Sequence, residues 1–196
     1  MVSVAEYRLL GSREIVRTGF LTLSEEQFES SAGDELIRWT VGHPGVVAAV
    51  PLVDGPSGPG ALLVRQFRPA VRRPLLEIPA GKLDVPGEDP ESAILRELAE
   101  EIRHRPGRLV KVAEVYNAPD FSDQRTLLYL AFDLEACETP ALPQHEEEDM
   151  TVERVALADT AGLVAAGEIV DARTVIGLLL AERHVSGRDS RPSRIG

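Results

Sequence analysis

The spacing of hydrophobic positions changes several times along the chain, and each change marks an element. A near-continuous apolar run at residues 46–53 predicts a buried strand, and stretches rich in β-branched and apolar residues predict eight more. These cover residues 4–10, 14–22 and 36–40 before the run, and residues 61–67, 75–80, 109–116, 125–134 and 151–157 after it. Segments rich in glycine and proline, such as residues 54–60, are typical of the turns that connect strands.

Three stretches have helical spacing instead. Apolar side chains recur three and four positions apart in residues 90–102, where Asp89 occupies an N-cap position and Pro90 the first helical position. Residues 158–166 and 172–184 predict two further helices. An Arg-Pro-Gly sequence at residues 105–107 predicts a break after the first helix.

The first helix carries an unusual number of carboxylates. Glu97, Glu100 and Glu101 lie three and four positions apart, so they share a face turned away from the apolar stripe. Like charges on one face repel each other unless a cation compensates them, and oxygen-rich sites suit Mg²⁺ or Mn²⁺. The alternative is a solvated acidic face on a surface helix.

Candidate binding residues flank this helix in sequence. Arg68, Arg72 and Arg73 form a basic cluster that could hold phosphate oxygens, with a solvated turn as the alternative. Arg68 is the strongest candidate because it directly follows a predicted strand. In the loop at residues 117–123, Phe121 is a candidate for stacking on a base, with packing as the alternative.

An acidic run at residues 146–149 lies between two predicted strands. Such runs are usually solvated, but loops on a rigid scaffold often carry catalytic residues, so this one is a candidate source of a general base.

Composition excludes several classes of partner. The net charge of −11 argues against nucleic acid or an anionic membrane surface as a partner. A phosphorylated small molecule stays possible, because a divalent metal and a few arginines can reverse the local field. Cys137 is the single cysteine, the first residues lack a secretory signal, and no apolar run approaches the ~18 residues of a membrane span. We therefore expect a cytoplasmic protein with one main domain and a disordered tail at residues 186–196.

The stretch from Gly81 to Arg103 resembles the Nudix box, the loop-helix signature of hydrolases that cleave nucleoside diphosphates linked to another moiety. Glu88, seven further residues and then Arg-Glu-Leu-Ala-Glu-Glu at residues 96–101 match the family pattern. Two positions depart from it. Six residues, where the family has five, separate Gly81 from Glu88, and Arg103 replaces the family glycine that ends the helix. Without that glycine we expect the helix to continue toward Pro106.

Within this family the chain is most similar to ADP-ribose pyrophosphatases, particularly those of actinobacteria. Pro119, fifteen residues after His104, matches a marker of that group, although Asp120 stands where the group usually has glycine. The other shared features are Arg-Gln-Phe-Arg at residues 65–68, Leu-Glu-Ile-Pro-Ala-Gly at 76–81, Ala-Pro-Asp-Phe-Ser-Asp at 118–123 and the acidic run.

The resemblance implies specific roles for these residues. Metal ligands would be Glu97, Glu101, Glu100 and the backbone carbonyl of Ala80. Glu88 and Arg96 would support these ligands from behind, with Arg96 orienting and charge-balancing the glutamates. The general base would be Glu146, with Glu147 and Glu148 as alternatives. The substrate contacts would come from Arg68, Glu77, Phe121 and Ser122.

The resemblance also implies an α/β fold, an α/β/α sandwich around a mixed sheet. Residues 46–185 would form the hydrolase domain, and residues 1–45 a small antiparallel β subdomain through which a homodimer exchanges strands. The implied activity is Mg²⁺-dependent hydrolysis of ADP-ribose to AMP and ribose 5-phosphate, with Mn²⁺ as a possible metal. The alternatives are another nucleoside diphosphate sugar or a dinucleotide as substrate, and a nucleotide-sensing module without catalysis.

Overall fold

The computed structural model describes residues 6–138 and 150–187, which contain ten strands and three α-helices. The first five strands are β1 (Tyr7–Thr18), β2 (Leu21–Ser30), β3 (Glu35–Gly42), β4 (Val46–Val53) and β5 (Gly60–Arg68). The others are β6 (Arg73–Glu77), β7 (Ala80–Lys82), β8 (His104–Tyr116), β9 (Arg125–Ala136) and β10 (Thr151–Ala156). The helices are α1 (Pro90–Ile102), α2 (Thr160–Ala165) and α3 (Ala172–Val185), and a 3₁₀ turn, Leu157–Asp159, precedes α2. None of these helices is both long and apolar enough to cross a membrane.

Seven strands form a mixed sheet at the centre of the fold. Five of them lie in the order β10-β5-β4-β9-β8, while β6 pairs with β5 and β7 pairs with β4. The β4–β9 pair is parallel, and the other pairs of this sheet are antiparallel. This arrangement confirms the mixed sheet that the resemblance implied.

Helices cover both faces of the sheet. On one face Val47 and Ala49 of β4 pack in a cluster with Ile94 and Leu98 of α1. On the other face the alternate residues of β4 pack in a cluster with the buried side of α3, which includes Leu178. A strand buried on both faces needs apolar side chains at nearly every position, which explains the continuous apolar run of β4. The predicted α/β/α sandwich is confirmed.

The segment predicted as one strand at residues 75–80 is in fact β6 and β7. The chain leaves its partner β5 after Glu77 and joins β4 at Ala80. Proline at position 79 has no backbone N–H to donate to a strand ladder, but its carbonyl accepts a bond of 3.1 Å from the Ala49 N–H. This change of partner brings Ala80 and Gly81 beside α1.

Strands β1, β2 and β3 form a separate antiparallel sheet. The sequence predicted two strands where β1 is continuous, with irregularities near Gly11 and Glu14, and it missed most of β2. Much of β2 is polar, and cross-strand ion pairs such as Arg8–Glu29 (2.7 Å) and Arg13–Glu25 (2.9 Å) accompany its ladder. Hydrophobic periodicity cannot reveal a strand of this kind.

The predicted continuation of α1 toward Pro106 is wrong. The helix ends at Ile102 because Arg103 adopts a left-handed conformation (φ 58°, ψ 37°) and its N–H bonds to the Leu98 carbonyl. The helix does end before residues 105–107, but these residues lie in a strand, because β8 begins at His104 and runs through them. Strand β8 lies at the edge of the sheet, where a proline is tolerated.

Candidate active site

A cavity of about 680 Å³ brings together most of the predicted site residues that the structure describes. It lies where β7, α1 and the start of α3 approach one another. The predicted residues on its lining are Arg68, Ala80, Arg96, Glu97, Glu100 and Glu101. Segments far apart in sequence therefore meet at one site.

The local sequence of α1 determines which of its faces meets the cavity. The Asp89 side chain accepts bonds from the N–H groups of Glu91 (3.0 Å) and Ser92 (3.1 Å), and Pro90 follows it, so the predicted N-terminus is confirmed. The apolar stripe of the helix is buried against the sheet, with Ile94 and Leu98 fully inaccessible. The glutamates therefore lie on the opposite, cavity-lining side.

Arg96 holds the carboxylates of this wall together. Its Nε and Nη2 atoms each donate to Glu88 at 3.1 Å, while Nη1 donates to Glu97 at 2.7 Å and to Glu100 at 3.1 Å. The hydrogen bond to Glu88 is the main cause that raises the pKa of Arg96 above its ordinary value. The arginine thus stays charged and lies where its charge offsets the repulsion among the glutamates.

Strand β7 places backbone atoms against the same carboxylates. The Ala80 N–H donates to Glu101 Oε2 at 3.1 Å. At Gly81 a Cβ atom would collide with the carboxylate of Glu97. Glycine is therefore required here to let the Glu97 side chain lie against the strand.

The chemistry of this wall fits a hard divalent cation. Carboxylate oxygens and a nearby backbone carbonyl are the ligands that such cations prefer. Within residues 6–138 and 150–187, however, no three acidic, histidine or cysteine side chains converge as a ready-made metal cage. A cation of this class needs no such cage, because Mg²⁺ keeps several waters and binds through one or two carboxylates together with substrate phosphates.

Glu77, a predicted substrate contact, is nearly inaccessible, with 2% of its surface exposed. Its Oε2 atom accepts a bond from Arg68 Nε at 2.8 Å, and its Oε1 atom lies 3.5 Å from Arg173 Nη2. Arg173 and its neighbour Asp171 also line the cavity, and sequence reasoning missed both. Asp171 is an N-cap residue followed by a helical pattern. The sequence could therefore have predicted that α3 begins at this position.

Phe121 and Ser122 lie elsewhere, beside a second cavity of about 490 Å³ between their loop and strands β2 and β3. Ser122 Oγ donates to the Val41 carbonyl at 2.9 Å, and Phe121 is half exposed. Their predicted role as substrate contacts remains a prediction. The predicted bases Glu146, Glu147 and Glu148 lie outside the described residues, as do residues 188–196 of the predicted tail.

Sequence reasoning also missed an aromatic and basic group on the main cavity. The rings of Phe20 and His43 meet edge to face at 5.2 Å, and Lys82 Nζ lies 4.6 Å from the centroid of Phe20. Burial is the main cause that lowers the pKa of His43. Its Nδ1 accepts the Gly45 N–H at 3.0 Å, which requires an unprotonated Nδ1. Phe20 lies in the turn between β1 and β2, where no periodicity links it to a site.

The fold and the cavity match one class of protein. The NUDIX domain family matches residues 43–175, which include the acidic wall, three arginines that line the cavity and the start of α3. The chain belongs to the NUDIX family.

Individual members of this family show which proteins the chain is similar to. The chain is 34% identical over 173 residues to an ADP-ribose pyrophosphatase of Bacillus subtilis, covering 88% of this chain and 91% of that protein. It is 35% identical over 177 residues to an ADP-ribose pyrophosphatase of Mycobacterium tuberculosis, covering 90% and 84%. A solved structure described as an ADP compounds hydrolase superimposes with a TM-score of 0.81 at 24% identity, covering 97% of this chain and 100% of that one. That last similarity supports the fold.

Proposed function

We propose that this protein is a pyrophosphatase that uses a divalent metal, Mg²⁺ by preference or Mn²⁺, to hydrolyse ADP-ribose to AMP and ribose 5-phosphate. The observation that carries the proposal is a single cavity containing an acidic wall on α1 together with two arginines, Arg68 and Arg173. A pyrophosphate needs both a cation site and anion-binding groups. The two ADP-ribose pyrophosphatases that match most of the chain support ADP-ribose as the substrate.

The side chains divide the work by chemical type. Glu97, Glu100, Glu101 and the Ala80 carbonyl would hold the divalent cation, which when bound neutralises pyrophosphate charge and activates a water. Arg96 and Glu88 keep those carboxylates aligned. We assign the general base to the acidic run, with Glu146 first and Glu147 and Glu148 as alternatives. A carboxylate serves well as base when the water it deprotonates is already activated.

We further propose a cytoplasmic homodimer that binds this small molecule and has neither nucleic acid nor membrane as a partner. The net charge of −11 supports the exclusion of polyanionic partners.

A substrate panel tests the proposal. The protein is incubated with ADP-ribose, other nucleoside diphosphate sugars and dinucleotides, with and without Mg²⁺, and the products are identified. AMP and ribose 5-phosphate formed from ADP-ribose in the presence of metal are expected. Preferred turnover of another compound would reassign the substrate, and binding without turnover would indicate a nucleotide-sensing module.

Substituting single carboxylates tests the assigned roles. Glu101→Gln keeps the size of the side chain but removes a charged ligand, so we expect a loss in kcat/KM beyond the ~10–100-fold typical of residues that only support ligands. Glu91→Gln is the matched control, because Glu91 lies exposed in the first turn of the same helix. Full activity of Glu101→Gln would refute the metal assignment. A negligible effect of Glu146→Gln would move the base to Glu147 or Glu148.

A further inference from the structure

A buried carboxylate joins Arg68 and Arg173, two of the arginines that line the cavity. The Oε2 atom of Glu77 lies 2.8 Å from Arg68 Nε and 2.7 Å from Arg68 Nη2. Its Oε1 atom lies 3.5 Å from Arg173 Nη2. Burying a carboxylate costs free energy unless a cation pairs with it. The folded state can therefore bury Glu77 only if these arginines stay in place. Glu77 therefore determines the positions of both guanidinium groups.

Arg173 is constrained from a second side. Its Nε atom donates to Asp171 Oδ1 at 3.2 Å. The other oxygen of Asp171 accepts the Thr174 N–H at 2.9 Å and the Thr174 hydroxyl at 2.7 Å. The same Thr174 hydroxyl accepts the Ile78 N–H at 2.9 Å, which ties the start of α3 to the segment after β6. The guanidinium is thus fixed before any ligand arrives.

Both arginines contact the protein through the same edge. Each uses Nε and Nη2, and within the part of the chain that the structure describes neither Nη1 has a hydrogen-bond partner. The Arg173 side chain is only 13% exposed, yet it lines the cavity. It also lies in the first turn of α3, where the helix dipole adds positive potential. A guanidinium that is held in place and partly removed from water in this way interacts more strongly with an anion than with bulk water.

We propose that Arg173 and Arg68 together bind the oxygens of a substrate phosphate, with Glu77 as the positioning residue that holds the pair. The inference rests on the proposed function and adds a substrate-binding residue from α3 to it. A guanidinium matches phosphate geometry through two N–H groups, which a lysine cannot reproduce. The acidic wall on α1 would hold the cation, while the arginines would bind phosphate oxygens that the cation does not reach.

A purely structural role of Arg173 predicts different binding affinities in the variants. If Arg173 only neutralises Glu77, then Glu77→Gln/Arg173→Gln should bind ligands as well as Glu77→Gln alone, in which Arg68 has lost the same carboxylate partner. If Arg173 binds phosphate itself, the double variant should bind them more weakly than Glu77→Gln. The double variant also avoids leaving the buried Glu77 carboxylate with Arg68 as its one arginine partner, so it keeps the test valid where Arg173→Gln folds poorly.

The experiment measures binding separately from turnover. Inorganic pyrophosphate, AMP and ribose 5-phosphate are titrated by calorimetry into wild type, Arg173→Gln, Arg173→Lys, Glu77→Gln and the double variant. The control is Arg183→Gln, whose side chain is exposed at the end of α3. We expect affinity for at least one of these probes to fall about tenfold or more in Arg173→Gln and in the double variant. Arg173→Lys should be intermediate and Arg183→Gln unchanged, and KM for ADP-ribose should rise more than kcat falls.

Two results would overturn the inference: wild-type affinities in Arg173→Gln, or equal affinities in the double variant and in Glu77→Gln. Failure of the proposed function has a different signature, because wild type would then bind the phosphate probes without hydrolysing ADP-ribose. The calorimetric comparison among variants stays decisive in that case.

Discussion

Gly81 shows how one missing side chain can set the geometry of a site. The three atoms nearest to a Cβ at this position belong to the outer part of the Glu97 side chain, which can move. We therefore expect Gly81→Ala to fold normally but to displace the Glu97 carboxylate. Displacements of ~1 Å can cost ~100-fold in rate, so kcat/KM for ADP-ribose should fall by about that factor. Steady-state kinetics and thermal unfolding measure the two effects.

Gly162→Ala is the matched control for this variant. Gly162 lies in α2, where a Cβ atom would meet nothing within 4 Å. Its activity should equal that of wild type, with unchanged or slightly higher stability. If Gly81→Ala kept wild-type activity, the position of Glu97 would not matter for catalysis.

Sequence could identify the acidic residues of the site but only part of the rest. Spacing alone places Glu97, Glu100 and Glu101 on one helical face, because the helical period is fixed. Arg173 was not detectable in this way, since its partner Glu77 is 96 positions away in the chain. Nothing in the local pattern around either residue indicates that contact. Sequence spacing cannot identify residues that come together only in the tertiary structure.

At the scale of elements, the helix end was the clearest error. The absence of glycine at position 103 suggested that α1 would continue, but Arg103 takes the left-handed conformation itself. Its carbonyl accepts the Cys137 N–H at 2.9 Å, which ties the turn to the end of β9. Tertiary hydrogen bonding overrode the local preference, which no pattern of residues 90–106 could reveal.

This strained cap leads to a stability prediction. A non-glycine residue in the left-handed region costs about 1–2 kcal/mol, so Arg103→Gly should raise the free energy of unfolding by about 1 kcal/mol. Urea denaturation monitored by circular dichroism measures the change. Arg105→Gly is the control, because Arg105 lies in β8 and does not have a positive φ. Glycine at this position should lower the free energy of unfolding by about 0.5–1 kcal/mol. Equal effects of the two substitutions would refute the argument.

At the scale of the whole molecule, apolar runs revealed the central strands along the chain, and the resemblance to a known family implied how they form a mixed sheet. The bounds of the strands in the small sheet followed from neither. The central strands are recognisable because both of their faces are buried. Strands β1 to β3 instead leave large apolar side chains in solvent, including Leu9, Ile37 and Trp39, which are 52%, 56% and 54% exposed. Ile37 and Trp39, two positions apart in β3, share one face of the sheet, and exposed apolar groups that share a face are typical of an interaction surface. This supports the homodimer proposed above.

We expect the dimer to depend on this sheet. Trp39→Lys should place a charge in the proposed interface, shifting the sedimentation coefficient from that of a dimer toward that of the 21.3 kDa monomer. Leu179→Lys on α3, where the side chain is 47% exposed, is the matched control and should remain dimeric. Because Phe20 in the β1–β2 turn lines the cavity, loss of the dimer should also raise KM for ADP-ribose. A wild-type protein that sediments as a monomer at micromolar concentration, with full activity, would show that this sheet serves another partner or none.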